Sequence, residues 1–222
     1  SSDLAFKCLG YAAPNPGEIR ELIGLSLEET IQRLLPDSKP VAVDHLAAAY
    51  QKQLIEYHGS DGPLEPLFPR AEKVLRTLHS RGYLLGVATG KSQHGLEAIL
   101  EGYKLRDIFS TLQTADGHPG KPHPSMLHQA MTETGVEAND TLMLGDTSFD
   151  MAMAVNAGVH PVGVVWGYHC VDALRVAGAR AVDLDLGPRR IGEGDIAGDG
   201  QRSGRIAGSE SPCDRDVAGD DA

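Results

Sequence analysis

The chain has 222 residues, 41% of them hydrophobic and only 5% aromatic, enough for one medium core built mainly from Leu, Val, Ala and Met. Lys and Arg number 20 against 31 Asp and Glu, a formal net charge of −11, which lacks the basic surplus that a nucleic-acid binder uses to neutralise phosphates. No apolar run reaches the roughly 18 residues of a membrane helix, and no basic segment followed by an apolar stretch marks a secretory leader at the start. The three cysteines, Cys8, Cys170 and Cys213, stand far apart, a spacing that suits thiols in a reducing cytosol rather than a disulfide framework or a zinc site.

Taken in chain order, residues 1–62 read as a helical unit. Ser26-Leu27-Glu28-Glu29 fits a capping box, and Leu22, Ile23, Leu27, Ile31, Leu34 and Leu35 supply an apolar face. Val43, Leu46, Tyr50, Leu54 and Tyr57 recur every three or four residues, the period of an amphipathic helix. Residues 59–69 are rich in Gly and Pro and read as a linker. The pattern then changes over 63–186. Strands are expected over 83–88, 108–114, 141–144, 159–166 and, more weakly, 180–184, separated by helices over 71–80, 93–100, 125–134, 149–157 and 171–177. This alternation predicts an α/β fold with a mainly parallel sheet, whose ligand site lies at the carboxyl ends of the strands. Residues 187–222 contain no aromatic residue and few large aliphatics, so burial cannot offset the entropy of ordering them, and a disordered tail is expected.

Three short segments carry chemistry. Leu144-Gly145-Asp146-Thr147-Ser148-Phe149-Asp150 places one carboxylate directly after a strand and a second in the first turn of the next helix. Two hard oxygen donors so placed suit Mg²⁺, which takes one or two carboxylates and keeps several waters. The plainer account is a helix cap followed by a first-turn acid stabilised by the helix dipole. Val87-Ala88-Thr89-Gly90-Lys91-Ser92 sets a hydroxyl at a strand end, where it and the neighbouring amides of Gly90 and Lys91 can donate to a phosphate oxygen. The plainer account here is an ordinary strand-to-helix turn capped by Ser92. Gly120-Lys121-Pro122-His123-Pro124 holds a lysine in a stiff segment, suited to fixing an ammonium beside phosphate and carboxylates. His118 and His123 flank it without a partner set that suggests a metal, and read as loop residues.

In this order the three segments resemble those of the haloacid dehalogenase-like hydrolases, with their phosphoglycolate phosphatase-type branch as the nearest likeness. Ile23-Gly24-Leu25, Arg81-Gly82-Tyr83, Asn156-Ala157-Gly158 and Val165-Trp166-Gly167-Tyr168-His169 add to it, and the likeness runs over about residues 5–184. It implies a Rossmann-like parallel core with a small α-helical cap, here residues 1–62, set between the first core strand and the rest. It implies that Thr89, with Gly90 and Lys91, holds the transferred phosphoryl group, that Lys121 steadies nucleophile and phosphate, and that Asp146 ligates Mg²⁺ with Asp150 assisting. The implied reaction is hydrolysis of a phosphate monoester through an aspartyl-phosphate. The implied ligand is a small phosphorylated metabolite, with neither nucleic acid nor membrane as partner.

One departure matters. The family's nucleophile lies in an Asp-x-Asp-Gly motif at the end of the first core strand, and no Asp-x-Asp-Gly occurs in these 222 residues. Asp61-Gly62 and Asp116-Gly117 have no Asp two residues before them. The expectation is an N-terminally truncated chain that lacks the first core strand and is inactive as it stands. The competing reading is a non-catalytic relative that binds phosphate or a phosphorylated metabolite.

Overall fold

The computed structural model describes residues 6–7, 10–58 and 65–183, and the side chains among these other than 53–58 and 183. The expected tail and most of the Gly- and Pro-rich linker lie outside the described residues.

The N-terminal unit is helical, as its periodicity requires. Helix α1 (Pro16–Glu21) starts at Asn15, whose side chain accepts from the Gly17 amide at 2.8 Å, with proline at the first helical position, where its missing N–H leaves nothing unpaired. Helix α2 (Leu27–Leu34) starts at Ser26, which accepts from the Glu29 amide at 3.2 Å. The return half of the expected capping box is replaced: the Glu29 carboxylate pairs with Arg33 one turn on, at 2.8 Å. Leu22 and Ile23 are not on this helix. The chain turns through Gly24, whose φ of +106° is a conformation L side chains rarely adopt, and a single bridge joins Ile23 to Leu25. Helix α3 (Pro40–His58) buries Val43, Leu46 and Ala47 against Ile31 and Phe6.

The remaining elements alternate: α4 (Ala71–Ser80), β1 (Leu85–Thr89), α5 (Gln93–Gly102), β2 (Phe109–Thr114), α6 (Ser125–Thr134), β3 (Leu142–Gly145), α7 (Ser148–Ala157), β4 (His160–Val164), α8 (Val171–Val176) and β5 (Ala181–Asp183). Every strand pair is parallel: β1 with β2, β3 with β4, and β4 with β5. Two expected strands are trimmed. β1 begins after Tyr83 and Leu84, which are exposed, and β4 ends at Val164, before Trp166.

The sheet is divided. β1–β2 and β3–β4–β5 form separate hydrogen-bonded sheets, and no described strand lies between β1 and β3. The two halves share one core all the same, since Ala88 of β1 and Met143 of β3 both pack on Met126, Leu127, Met153, Ala154, Ala157 and Val159. On β3, Leu142 and Leu144 are 49% and 48% exposed, because side chains two apart share a face and nothing described covers it. Above the divide, at the carboxyl ends of the strands, the Ile23–Leu25 segment fills the space: a Cβ on Gly90, just after β1, would collide with the Leu25 carbonyl, and one on Gly24 would lie 2.9 Å from the Thr147 hydroxyl, just after β3.

A polar network ties β2 to α6. Thr111 donates to the Glu133 carboxylate at 2.5 Å, and the Gln113 amide donates to Thr111 at 2.6 Å and to Glu133 at 2.9 Å. The hydrogen bond from Thr111, then those from Gln129 and Gln113, hold the Glu133 carboxyl below the ordinary glutamate value. Stability from this group is present above the unfolded-state value and is lost as pH falls through the depressed native one. Thr111→Val is expected to cost about 1 kcal/mol at neutral pH, read by urea unfolding, with the difference from the unaltered chain shrinking at acid pH.

No described helix is long and apolar enough to cross a membrane. Cys170, which caps α8, is disulfide-bonded, against the expectation of free thiols. Cysteine spacing along the chain carries no information on which sulfurs the fold brings together.

Candidate active site

The site forms where β3 runs into α7. Thr147 is the N-cap of α7: its hydroxyl accepts from the Asp150 amide at 3.3 Å, and Asp150 Oδ2 accepts from the Thr147 amide at 3.2 Å, a reciprocal capping box. The same Oδ2 accepts from the Thr147 hydroxyl at 2.8 Å. The plainer account of this carboxylate is therefore realised, and a second role is added to it. Asp150 Oδ1 accepts from Lys121 Nζ at 2.6 Å, with the two side chains only 7% and 5% exposed. Gly145 lies so close beneath Asp150 that any side chain there would run into it.

Lys121 reaches this position from the loop before α6. Its bond to Pro122 is cis, and the Pro122 carbonyl accepts from the Asn156 amide of α7 at 2.9 Å. Both loop histidines have structural partners. His118 bridges Gln113 and Ser125 at 2.8 Å each, and His123 Nδ1 accepts from the Ser125 amide at 3.2 Å, which caps α6.

Asp146 is held from the other side. The Tyr168 amide donates to its Oδ2 at 3.2 Å and the His169 amide to its carbonyl at 3.1 Å. Gly167 passes so close that a Cβ there would overlap the Asp146 side chain. Burial, and then the charge of nearby Asp150, push the Asp146 carboxyl above the ordinary aspartate value. A sequence reading can quote Trp166-Gly167-Tyr168-His169 as a run, but its grip on Asp146 consists of backbone contacts between residues about 22 apart.

The strand-end segment after β1 is present but differently engaged. Thr89 Oγ1 accepts from the Lys91 amide at 3.2 Å, and Ser92 caps α5 by accepting from the Gly95 amide at 3.3 Å. Lys91 Nζ is paired with both oxygens of Glu65, at 2.9 and 2.8 Å. Asp116 accepts from the Gln93 amide at 2.7 Å and so serves the start of α5. The fold thus joins Lys121 directly to Asp150 and sets Asp146 beside them, whereas Lys91 bonds outward to Glu65. The helical unit closes over the site: the Glu29 carboxylate abuts Gly120, and the Arg33 guanidinium lies 5.3 Å over the Phe149 ring.

A hard divalent cation suits Asp146. Its carboxyl is half-buried beside a second carboxylate, and a cation would relieve that repulsion. Both oxygens of Asp150 are already bonded, so its fit is as a supporting group. Among the described residues no cluster of three or more His, Cys, Asp or Glu side chains is placed to hold a metal ion.

A family model described as haloacid dehalogenase-like hydrolase matches residues 1–164. The chain belongs to the haloacid dehalogenase-like hydrolases. Within this family it is 37% identical to a probable phosphatase, IndB, of Dickeya dadantii over 72% of this chain and 70% of that protein. It is 28% identical to a phosphoglycolate phosphatase of Vibrio cholerae over 84% of this chain and 85% of that protein. The crystal structure of a haloacid dehalogenase-like hydrolase from Bacteroides fragilis superposes with a TM-score of 0.75 at 22% identity, covering 83% of this chain and 87% of that one. The hydrolase fold therefore extends well beyond detailed sequence likeness.

Proposed function

We propose that this chain belongs to a phosphatase that hydrolyses small phosphate monoesters with the help of Mg²⁺, phosphoglycolate being the substrate class its relatives suggest. The observation that carries the reading is the buried Lys121–Asp150 ion pair with Asp146 beside it. A fixed ammonium and an acidic group that favours a cation are what a phosphoryl group needs around its oxygens. In this reading Asp146 holds Mg²⁺, with Asp150 in support. When bound, the ion would neutralise charge on the phosphoryl oxygens. Lys121 orients Asp150 and presents positive charge to the phosphate. Thr89, with the amides of Gly90 and Lys91, binds phosphate oxygens, and Lys91 must leave Glu65 if its side chain is to take part.

The attacking carboxylate is the part these residues do not supply, since they include no Asp-x-Asp-Gly. Residues 1–222 alone are accordingly expected to bind phosphate without turning over an ester, and that absence is what favours the second reading, a phosphate-binding relative without catalysis. Titration calorimetry with inorganic phosphate, with and without Mg²⁺, tests what the two readings share: Mg²⁺-dependent binding is expected, and no binding under either condition overturns both. Release of phosphate from phosphoglycolate separates them. Release by the protein isolated from its source, with none from residues 1–222, supports the enzyme; none from either supports the binding protein.

A further inference from the structure

The Gly167–His169 segment does more than pass near Asp146. The Tyr168 amide fixes one oxygen of that carboxylate, and the His169 amide fixes the Asp146 carbonyl. The His169 ring then crosses to the start of α7, where Nδ1 accepts from the Ser148 amide at 3.0 Å and lies 3.1 Å from the Ser148 hydroxyl. An Nδ1 that accepts from a backbone N–H carries no proton, so in the neutral ring the proton sits on Nε2. That Nε2 is buried and has no hydrogen-bond partner among the described residues. The ring is set against Phe149 in a T-shaped contact at a centroid distance of 5.6 Å.

We infer that His169 is a positioning residue for the cation ligand Asp146. It pins the first amide of α7 through Nδ1 and the Asp146 carbonyl through its own amide, so the β3–α7 turn has one geometry and the Asp146 carboxylate is held in place for a cation. This inference rests on the cation reading of Asp146, and a cation ligand's outer contacts are where such orientation is set.

The test uses Mn²⁺ as the probe, read by electron paramagnetic resonance on the unaltered chain and on His169→Asn and His169→Phe. Asn can place Oδ1 where Nδ1 now stands; Phe keeps the ring and loses the acceptor. His169→Phe is expected to weaken Mn²⁺ binding by about tenfold or more, as loss of such outer contacts does elsewhere, and to speed hydrogen exchange at the Ser148 amide. His169→Asn is expected to hold both near the unaltered values. A purely structural role would lower the melting temperature and leave the Mn²⁺ affinity of the folded protein alone, and that result overturns the inference. If His169→Phe does not fold, nitrogen NMR of the unaltered chain decides: a proton on Nδ1 overturns the inference and a proton on Nε2 supports it. Absence of Mn²⁺ binding in the unaltered chain overturns the cation reading of Asp146. Exchange at Ser148 then judges the pinning by itself, and unchanged protection in His169→Phe overturns it.

Discussion

Lys121→Ala is expected to destabilise the protein by about 3–5 kcal/mol at neutral pH, the usual cost of stripping one partner from a buried ion pair. Asp150 would keep the Thr147 amide and hydroxyl as donors, but Oδ1 would be left charged, buried and unpaired. The cost comes from that stranded carboxylate rather than from the worth of the pair itself. Lys121→Met combined with Asp150→Asn removes both charges and is expected to recover most of the loss, because a neutral amide can still accept from Thr147. Urea unfolding of both variants is the measurement. A loss below about 1 kcal/mol in Lys121→Ala would mean that water reaches the pair and that it behaves as a surface salt bridge. Phosphate binding should be lost in both variants, since each removes the ammonium.

Asp146→Asn is expected to raise stability at neutral pH in the absence of divalent cations and to abolish any stabilisation by them. The sign follows from the raised native pKa. A carboxyl that binds its proton more tightly when folded contributes stability below the ordinary aspartate value, and this contribution is lost as pH rises through the raised native value. At neutral pH the ionised Asp146 is therefore a burden, caused first by burial and then by Asp150. Asn removes the charge while its oxygen can still accept from the Tyr168 amide. Melting curves at pH 7 and near pH 4, with and without Mg²⁺, check this. The variant's advantage should fade at the lower pH, and added Mg²⁺ should stabilise only the unaltered chain. A variant that is less stable at pH 7 without Mg²⁺ would show that Asp146 is valued for its hydrogen bonds rather than strained by its charge.

Most of the architecture is legible in the residues, for local reasons. Short apolar runs alternating with 3.6-period stretches can bury their faces only as parallel strands under helices. The five expected strands and the helices between them are found, with ends shifted at Tyr83, Leu84 and Trp166, where hydrophobic residues continue past the point at which strand pairing stops. Asp146 and Asp150 are legible for a similar reason: the strand end and the helix start are encoded within a few residues of each other, so the spacing fixes where both carboxylates must be. Ser26 and Ser92 are likewise found as caps. Leu22 and Ile23 mislead because the turn at Gly24 interrupts an apolar run that looks continuous.

The sequence by itself thus determined the fold class, the family likeness and the residues that face the strand ends, because these follow from patterns spanning a few residues. Only the tertiary structure decided which of those residues act on one another. That Lys121 is buried against Asp150 from 29 positions away, that Lys91 bonds instead to Glu65, that Glu29 and Arg33 of the helical unit close on Gly120 and Phe149, and that His169 pins Ser148 are all long-range outcomes. They depend on how the divided sheet, the helical unit and the loops pack, and a linear chain carries no distance between groups that it has yet to bring together.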